Sequence, residues 1–240
     1  MRSPHQGPWR SWLGRFRAIL LDMHGTFMFG HDRFLPDTDY WPAYVAQGGA
    51  RLDRAEVSRA IRAFVTRYGA LYADPAWCDA FPPVARILRE LHPELPKDEL
   101  AWLEAVVAAH EVGRVPEAHA QAIRRLARTH RLGVVSNLWS RPGPWRDVFS
   151  RDGLDLLFDV TVFSSDHDCI KPSPRLFQLA LARLALPAAE VLFVGDDAAR
   201  DVAGAKQAGM AAVWIGEWPH GGMASTLPDG VVRDLCELAA

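Results

Sequence analysis

The sequence predicts an α/β protein: a doubly wound, Rossmann-like parallel sheet core, with a mostly helical cap inserted after the first strand. Short apolar runs rich in β-branched residues and bounded by turn signals recur along the chain, as buried strands do. Helical periodicity separates most of them, so the strands are joined by crossovers and run parallel. The stretch from residue 31 to 114 carries helical patterns and no convincing strand.

The lead-in, MRSPHQGPWRSWLGRFR, has no apolar run long enough for a signal peptide or a membrane span. Trp9, Trp12, Leu13 and Phe16 beside Arg10, Arg15 and Arg17 are compatible with a membrane surface, but a frayed lead-in is the simpler expectation. The first strand is the apolar run 18–21, read as buried on both faces. Beyond it, Val57, Ile61, Phe64, Val65, Tyr68, Leu71 and Tyr72 recur at helical spacing, as do Leu100, Leu103, Val106 and Val107. Pro82-Pro83, His92-Pro93 and Leu95-Pro96 mark helix boundaries there. Residues 31–114 are therefore expected to form the cap, with 1–30 and 115–240 as the core; Trp41, Trp77 and Trp102 suit the cap interior. Four later strands are expected at 132–135, 160–163, 191–194 and 212–215, with helices at 116–129, 174–185 and 198–208.

At 240 residues with 49% hydrophobic and 23% charged residues, the chain can bury a full globular core. A net charge of −2 with acids and bases intermixed argues against nucleic acid as a partner. Cys78, Cys169 and Cys236 show no metal-type spacing and cannot all pair, which fits a reducing compartment, most simply the cytoplasm. Oligomeric state has no signature in the sequence.

Chemistry gathers at the strand ends. Asp22 follows the first run directly, at the carboxyl edge where open parallel sheets hold their sites, with His24, Gly25 and Thr26 in the turn behind it. Ser136 and Asn137 end the second run and can donate to anionic oxygens without adding charge. Lys171 precedes a proline in a chain that has three lysines, arginine supplying the other 24 of 27 basic residues. A compact ammonium suits a crowded anionic site where a guanidinium would not pack. The fourth run enters Gly195-Asp196-Asp197, with Asp201 four residues on; such carboxylates repel unless cations offset them, and hard oxygens favour Mg²⁺.

Taken together, Asp22-Met-His-Gly-Thr26, Ser136-Asn137, Lys171-Pro172 and Gly195-Asp-Asp-(x3)-Asp201 resemble the four ordered motifs of the haloacid dehalogenase (HAD) superfamily. The run Val-Ala-Gly-Ala-Lys-Gln-Ala-Gly-Met210 is similar to that family's helix after the fourth motif, and the insertion after motif one to its helical cap. The resemblance implies a Mg²⁺-dependent phosphatase acting on a small phosphorylated metabolite through an aspartyl-phosphate on Asp22. It further implies Mg²⁺ held by Asp22, the His24 backbone carbonyl and Asp196, and transferring oxygens held by Thr26, Ser136, Asn137 and Lys171. Asp201 would orient Lys171 or a metal-bound water, and Asp197 would share the metal shell. His24 departs from the family pattern, which places Asp there in phosphatases and another residue in dehalogenases. Histidine is a competent proton carrier, so His24 is expected to serve the leaving oxygen, the alternative being a packing role. The rival readings are carbon–halogen hydrolysis and a non-catalytic phospho-ligand binder. Around this set, Arg141, Trp139 and Trp145 are candidate entrance residues, Phe27, Phe29 and His31 candidate leaving-group contacts, and Asp166-His167-Asp168 a solvated loop.

Overall fold

A computed structural model describes residues 9–30, 34–216 and 226–239. Six parallel strands form one sheet: β1 (Ala18–Leu21), β2 (Arg131–Ser136), β3 (Phe158–Phe163), β4 (Val191–Gly195), β5 (Ala211–Ile215) and β6 (Gly230–Val232). Their spatial order is β3-β2-β1-β4-β5-β6, so the chain reverses direction across the sheet on either side of β1. All four residues of β1 are fully buried, because β2 and β4 flank the strand and helices cover both faces. In register, Leu21 faces Val134 on one side and Val194 on the other, which brings the tips of β1, β2 and β4 together.

Ten α-helices are present among the described residues: α1 (Trp9–Leu13), α2 (Trp41–Ala46), α3 (Arg54–Ala73), α4 (Val84–Leu91), α5 (Lys97–Glu111), α6 (Glu117–Leu126), α7 (Gly143–Arg151), α8 (Pro174–Leu184), α9 (Ala203–Gln207) and α10 (Leu235–Leu238). One apolar cluster lies on the sheet face covered by α6, α7 and α10, including Ile123, Trp145 and Leu235. The opposite face packs against α8 and α9 through Phe177, Ala180 and Ala205. A third cluster joins α2 to α5 around Tyr44, Ile61, Phe64, Tyr68 and Leu103, and takes in Ile170 from the core. Helix α3 starts on a capping box in which Asp53 accepts from Glu56 N–H and Glu56 returns the bond. The long helical segment leaves and returns at one point: Phe29 N–H bonds Arg114 C=O at 2.9 Å and Arg114 N–H bonds Phe29 C=O at 2.8 Å.

Several sequence expectations are corrected. From Trp9 onward the lead-in is a helix packed on the core, with Leu13 and Phe16 buried and Trp9 set against Gly230, where a Cβ would collide with the indole. That packing replaces the frayed lead-in expected from the sequence, with Trp9 and Trp12 partly buried against the same cluster; residues 1–8 lie outside the described residues. Trp41, Trp77 and Trp102 pack against the rim of the third cluster, whose fully buried aromatics are Tyr40, Tyr44, Phe64 and Tyr68. Strand β6 and helices α7 and α10 were not expected. Among the described residues no helix is long and apolar enough to cross a membrane.

Candidate active site

The tips of β1, β2 and β4 converge on a cavity of about 490 Å³ whose lining comes from both the sheet and the helical segment. Asp22 stands directly after β1, with its N–H held by Val194 C=O at 2.8 Å. Its Oδ1 accepts from Ser136 Oγ at 2.8 Å and from Lys171 Nζ at 2.6 Å. Lys171, only 2% exposed, also donates to Asp201 Oδ1 at 2.6 Å. Burial works against the ammonium, yet the Asp201 and Asp22 carboxylates outweigh it and hold Lys171 above its usual value. A lysine so buried is stable only with such partners, which is why this position does not read as a loop residue.

Asp196 follows β4 and leans on the turn behind Asp22. Gly25, at φ 75°, makes this possible: a Cβ there would collide with the Asp196 carboxylate. Gly195 is bare for the same reason, since a Cβ would meet Asp201. Carboxylate oxygens of Asp22, Asp196 and Asp201 lie within 4.8 Å of one another. Desolvation in the cavity, and then the charges of Asp22 and Asp201, push the Asp196 carboxyl up to about 8. Asp196 is the most solvent-facing of the three, and a bound cation would neutralise the charges beside it. Hard oxygen donors this close, with a lysine compensating only part of the charge, fit a divalent cation.

Asp197 does not join this group. It caps the π-helical turn 198–202: Oδ1 accepts from Ala199 and Arg200 N–H, and Oδ2 from Arg200 Nη1 at 2.9 Å. Burial would raise its pKa, but those Arg200 bonds prevail and hold it below the ordinary value. Its oxygens are committed, which removes it from the metal shell expected from the sequence. Asp201, 1% exposed, orients Lys171 and accepts Asp197 N–H at 3.0 Å through Oδ2.

Asn137 lines the cavity as a brace. Its Oδ1 accepts Lys171 N–H at 2.8 Å, and its Nδ2 donates to Tyr72 OH at 3.1 Å. Thr26 is not brought to the cavity. It is fully buried, its Oγ1 has no protein partner, and its N–H closes a turn on Met23 C=O. His24 does line the cavity, and Trp145 Nε1 donates to its Nε2 at 3.0 Å. An indole N–H only donates, so Nε2 accepts and the ring proton of this tautomer, inferred from that bond, sits on Nδ1.

Among the other candidates, Trp139 lines the cavity while Arg141 is 83% exposed and faces Glu104. Phe27 is buried against Phe149 and Phe158, and Phe29 packs edge-on to His119, so neither reaches the cavity. His31 lies outside the described residues. Asp166 approaches Arg146 at 3.5 Å, and the 166–168 acids and histidine form no metal grouping among the described residues. Sequence reasoning missed three contributors. Glu111, at the end of α5, accepts Trp139 N–H at 2.6 Å and Ser140 N–H at 2.9 Å. Tyr72 accepts Arg200 Nη2 on its backbone carbonyl at 2.9 Å, and Arg200 stacks on its ring. An acid closing a helix against the dipole was the one available signal for Glu111.

The family profile described as haloacid dehalogenase-like hydrolase matches residues 16–209. A phosphoserine phosphatase of Thermus thermophilus is 32% identical over 185 residues, spanning 75% of this chain and 73% of that protein. A glyceraldehyde 3-phosphate phosphatase of Pyrococcus abyssi is 33% identical over 120 residues, 48% of this chain and 50% of its own. Among solved structures, a HAD phosphatase from Thermococcus onnurineus superposes with a TM-score of 0.61 at 26% identity, covering 93% of this chain and 96% of that one. A 2-haloacid dehalogenase from Pseudomonas syringae shares the fold, with a TM-score of 0.64 at 21% identity, covering 93% of this chain and 96% of that one.

Proposed function

Because the chain belongs to the haloacid dehalogenase-like hydrolases, we propose that it is a Mg²⁺-dependent phosphatase that cleaves a small phosphomonoester through an aspartyl-phosphate on Asp22. The observation that carries this reading is the closed triangle of Asp22, Lys171 and Asp201 beside Asp196, at the tips of adjoining strands. An attack by a carboxylate on a phosphate dianion needs positive charge between them, which a cation held beside Asp22 by Asp196 would supply; attack on a carbon–halogen bond makes no such demand. Phosphatase relatives support the same choice.

Asp22, the His24 backbone carbonyl and Asp196 would hold the Mg²⁺. When bound, it supplies positive charge that offsets repulsion between carboxylate and phosphate. The residues of the chain do the rest. Asp22 keeps one oxygen fixed by Ser136 and Lys171, which aims the other at phosphorus and keeps the carboxylate ionised. Lys171 and Ser136 would hold the transferring oxygens, with Asn137 bracing the Lys171 loop. As the phosphorus–oxygen bond to the leaving group breaks, Asp22 gains the phosphoryl group and the departing oxygen takes a proton from water; water then attacks phosphorus and yields its proton to the hydroxide left behind, returning free Asp22 and inorganic phosphate.

His24 is assigned to the leaving oxygen. With Nε2 tied to Trp145, its proton is on Nδ1, and a hydrogen bond from there stabilises charge on the departing oxygen. This narrows the acid–base role expected from the sequence, because full transfer needs the protonated ring, which cannot accept from Trp145. Residues 31–114 are taken as a cap that excludes water and contacts the leaving group, since Phe34, Val65, Tyr72 and Glu111 line the same cavity as Asp22. Free cysteines fit a cytoplasmic setting.

The test is phosphate release from a panel of phosphomonoesters with Mg²⁺ and with EDTA, beside halide release from 2-haloacids. Chelator-sensitive phosphate release is expected. Halide release that survives EDTA, with no phosphate release, overturns the proposal in favour of the dehalogenase reading; phosphate binding without turnover overturns it in favour of a binder.

A further inference from the structure

We propose that Arg200 recognises a carboxylate on the leaving group, so that the substrates of this enzyme are short phosphorylated carboxylic acids. The inference rests on the phosphatase reading above and names the substrate class of the same site.

Arg200 projects from the turn that carries Asp201, and it lines the cavity that holds Asp22. Its pose is set from three sides. Nη1 donates to Asp197 Oδ2 at 2.9 Å, Nη2 donates to Tyr72 C=O at 2.9 Å, and the guanidinium lies 4.2 Å over the Tyr72 ring. A guanidinium has five N–H donors in a rigid fork, and these bonds use two of them. The remaining donors have no protein partner among the described residues, on a side chain held by an ion pair, a carbonyl bond and a ring contact. Such a group is pre-organised for a planar anion, which it grips through parallel hydrogen bonds at little entropic cost.

The rest of the cavity sharpens the assignment. Lys171 is spent on Asp22 and Asp201, and Glu111 is spent on two backbone N–H groups, so neither is a candidate for the leaving group's polar end. The other cap-side lining is apolar or aromatic: Phe34, Val65, Trp139 and the Tyr72 ring. A leaving group that fits therefore has a short carbon skeleton and an anion at the end facing Arg200. The count of charge selects a monoanion. Asp197 already offsets Arg200, and the cavity holds the carboxylates of Asp22, Asp196 and Asp201, so a second phosphate dianion would be repelled where a single carboxylate is tolerated.

The experiment measures kcat/KM for two matched pairs that differ in one carboxylate: 3-phosphoglycerate against glycerol 3-phosphate, and O-phosphoserine against O-phosphoethanolamine. An activated aryl phosphate with Mg²⁺ is run on the wild-type protein in parallel. The carboxylated member should win in at least one pair by roughly tenfold to a hundredfold, the worth of a charge-assisted bidentate contact. In Arg200→Met this ratio should fall to near one, chiefly through KM of the carboxylated member, and Arg200→Lys should give an intermediate ratio because it keeps charge but loses the fork. No preference in the wild-type protein for either pair overturns the inference, even if Arg200→Met fails to fold. So does an Arg200→Met variant that lowers both members of a preferred pair equally. Absence of aryl phosphate hydrolysis by the wild-type protein would instead bring down the phosphatase reading itself.

Discussion

Asp22 is the residue on which the chemistry turns, and its surroundings make substitution informative. Asp22→Asn is nearly isosteric but replaces a nucleophile with an amide, while Lys171 keeps Asp201 as a partner. Turnover should fall to background with an unchanged circular dichroism spectrum; activity near the wild-type level would reassign the nucleophile. Asp196 makes a pH prediction with a definite sign. Its carboxyl is pushed up to about 8, so between the ordinary carboxylate value and that pH the native protein holds a proton that the unfolded chain has lost. Metal-free stability from this group therefore falls as pH rises across that window. Mg²⁺ must expel the same proton, so its apparent affinity should climb, by up to about tenfold per pH unit, and level off above about pH 8. Calorimetry in buffers of different ionisation enthalpy would detect the released proton; a flat affinity from pH 6 to 8 would show that Mg²⁺ displaces no proton from Asp196. His24 gives the third residue-scale test. Trp145→Phe removes the donor to Nε2, and ¹⁵N spectra of the His24 ring should shift away from the Nδ1-protonated tautomer, with alkyl phosphates slowed more than an aryl phosphate. Unaltered ring shifts would break the link between the two side chains.

At the scale of elements, the helical segment is fastened to the strand tips on three sides of the cavity. Helix α5 ends on Glu111, whose two oxygens take the N–H groups of Trp139 and Ser140 in the loop after β2. Helix α3 contributes Tyr72, tied to Asn137 and Arg200. The segment after α3 bonds the Lys171 loop: Ser173 Oγ donates to Asp79 Oδ1 at 2.6 Å, Phe81 N–H to Asp168 C=O at 2.8 Å, and Ile170 N–H to Cys78 C=O at 2.8 Å. The placement of Lys171 and that of the helical segment are thus coupled through backbone bonds. Glu111→Ala would leave two N–H groups unpaired beside the cavity, one of them in a buried serine, at a cost of about 1–3 kcal/mol each when buried. A lower melting temperature and a raised KM, with kcat less affected, are expected from thermal denaturation and steady-state kinetics. Wild-type values for both would mean that α5 does not position the loop.

For the whole molecule, the sheet divides two apolar clusters while the third sits beyond its carboxyl edge, and the acid cluster lies where they meet. Lys171 offsets only part of the charge of the acid cluster, so a cation bound there, which only the folded chain assembles, should stabilise the entire chain. At a hundredfold excess over its dissociation constant, a ligand specific for the native state adds about 2.7 kcal/mol. For a chain of this size that corresponds to a rise in melting temperature of roughly 5–10 °C. Mg²⁺ should produce it, EDTA should reverse it, and Asp196→Asn should abolish most of it. A melting temperature indifferent to Mg²⁺ in the wild-type protein would argue against the cation site.

The parallel core and most of the strand-tip set were legible along the chain. Buried strands announce themselves by local composition, and an acid, a Ser-Asn pair, a lysine before proline and an acid cluster each follow such a run directly. The sequence did not reveal β6, whose run is Gly-Val-Val, nor α1, whose single turn and a half is too short to show a period. The partnerships between side chains distant in the chain came from the packing of whole elements. Trp145 and His24 are 121 residues apart, and the rotation of α7 on the sheet makes them neighbours. Tyr72 and Arg200, 128 apart, meet because α3 leans over the tip of β4. The same holds for what was misplaced. Thr26 and Asp197 occupy motif positions, but one is folded under its turn and the other is consumed by capping the next. Periodicity is a property of neighbours along the chain, whereas a hydrogen bond across the cavity depends on how whole elements are rotated and stacked, which local sequence does not encode.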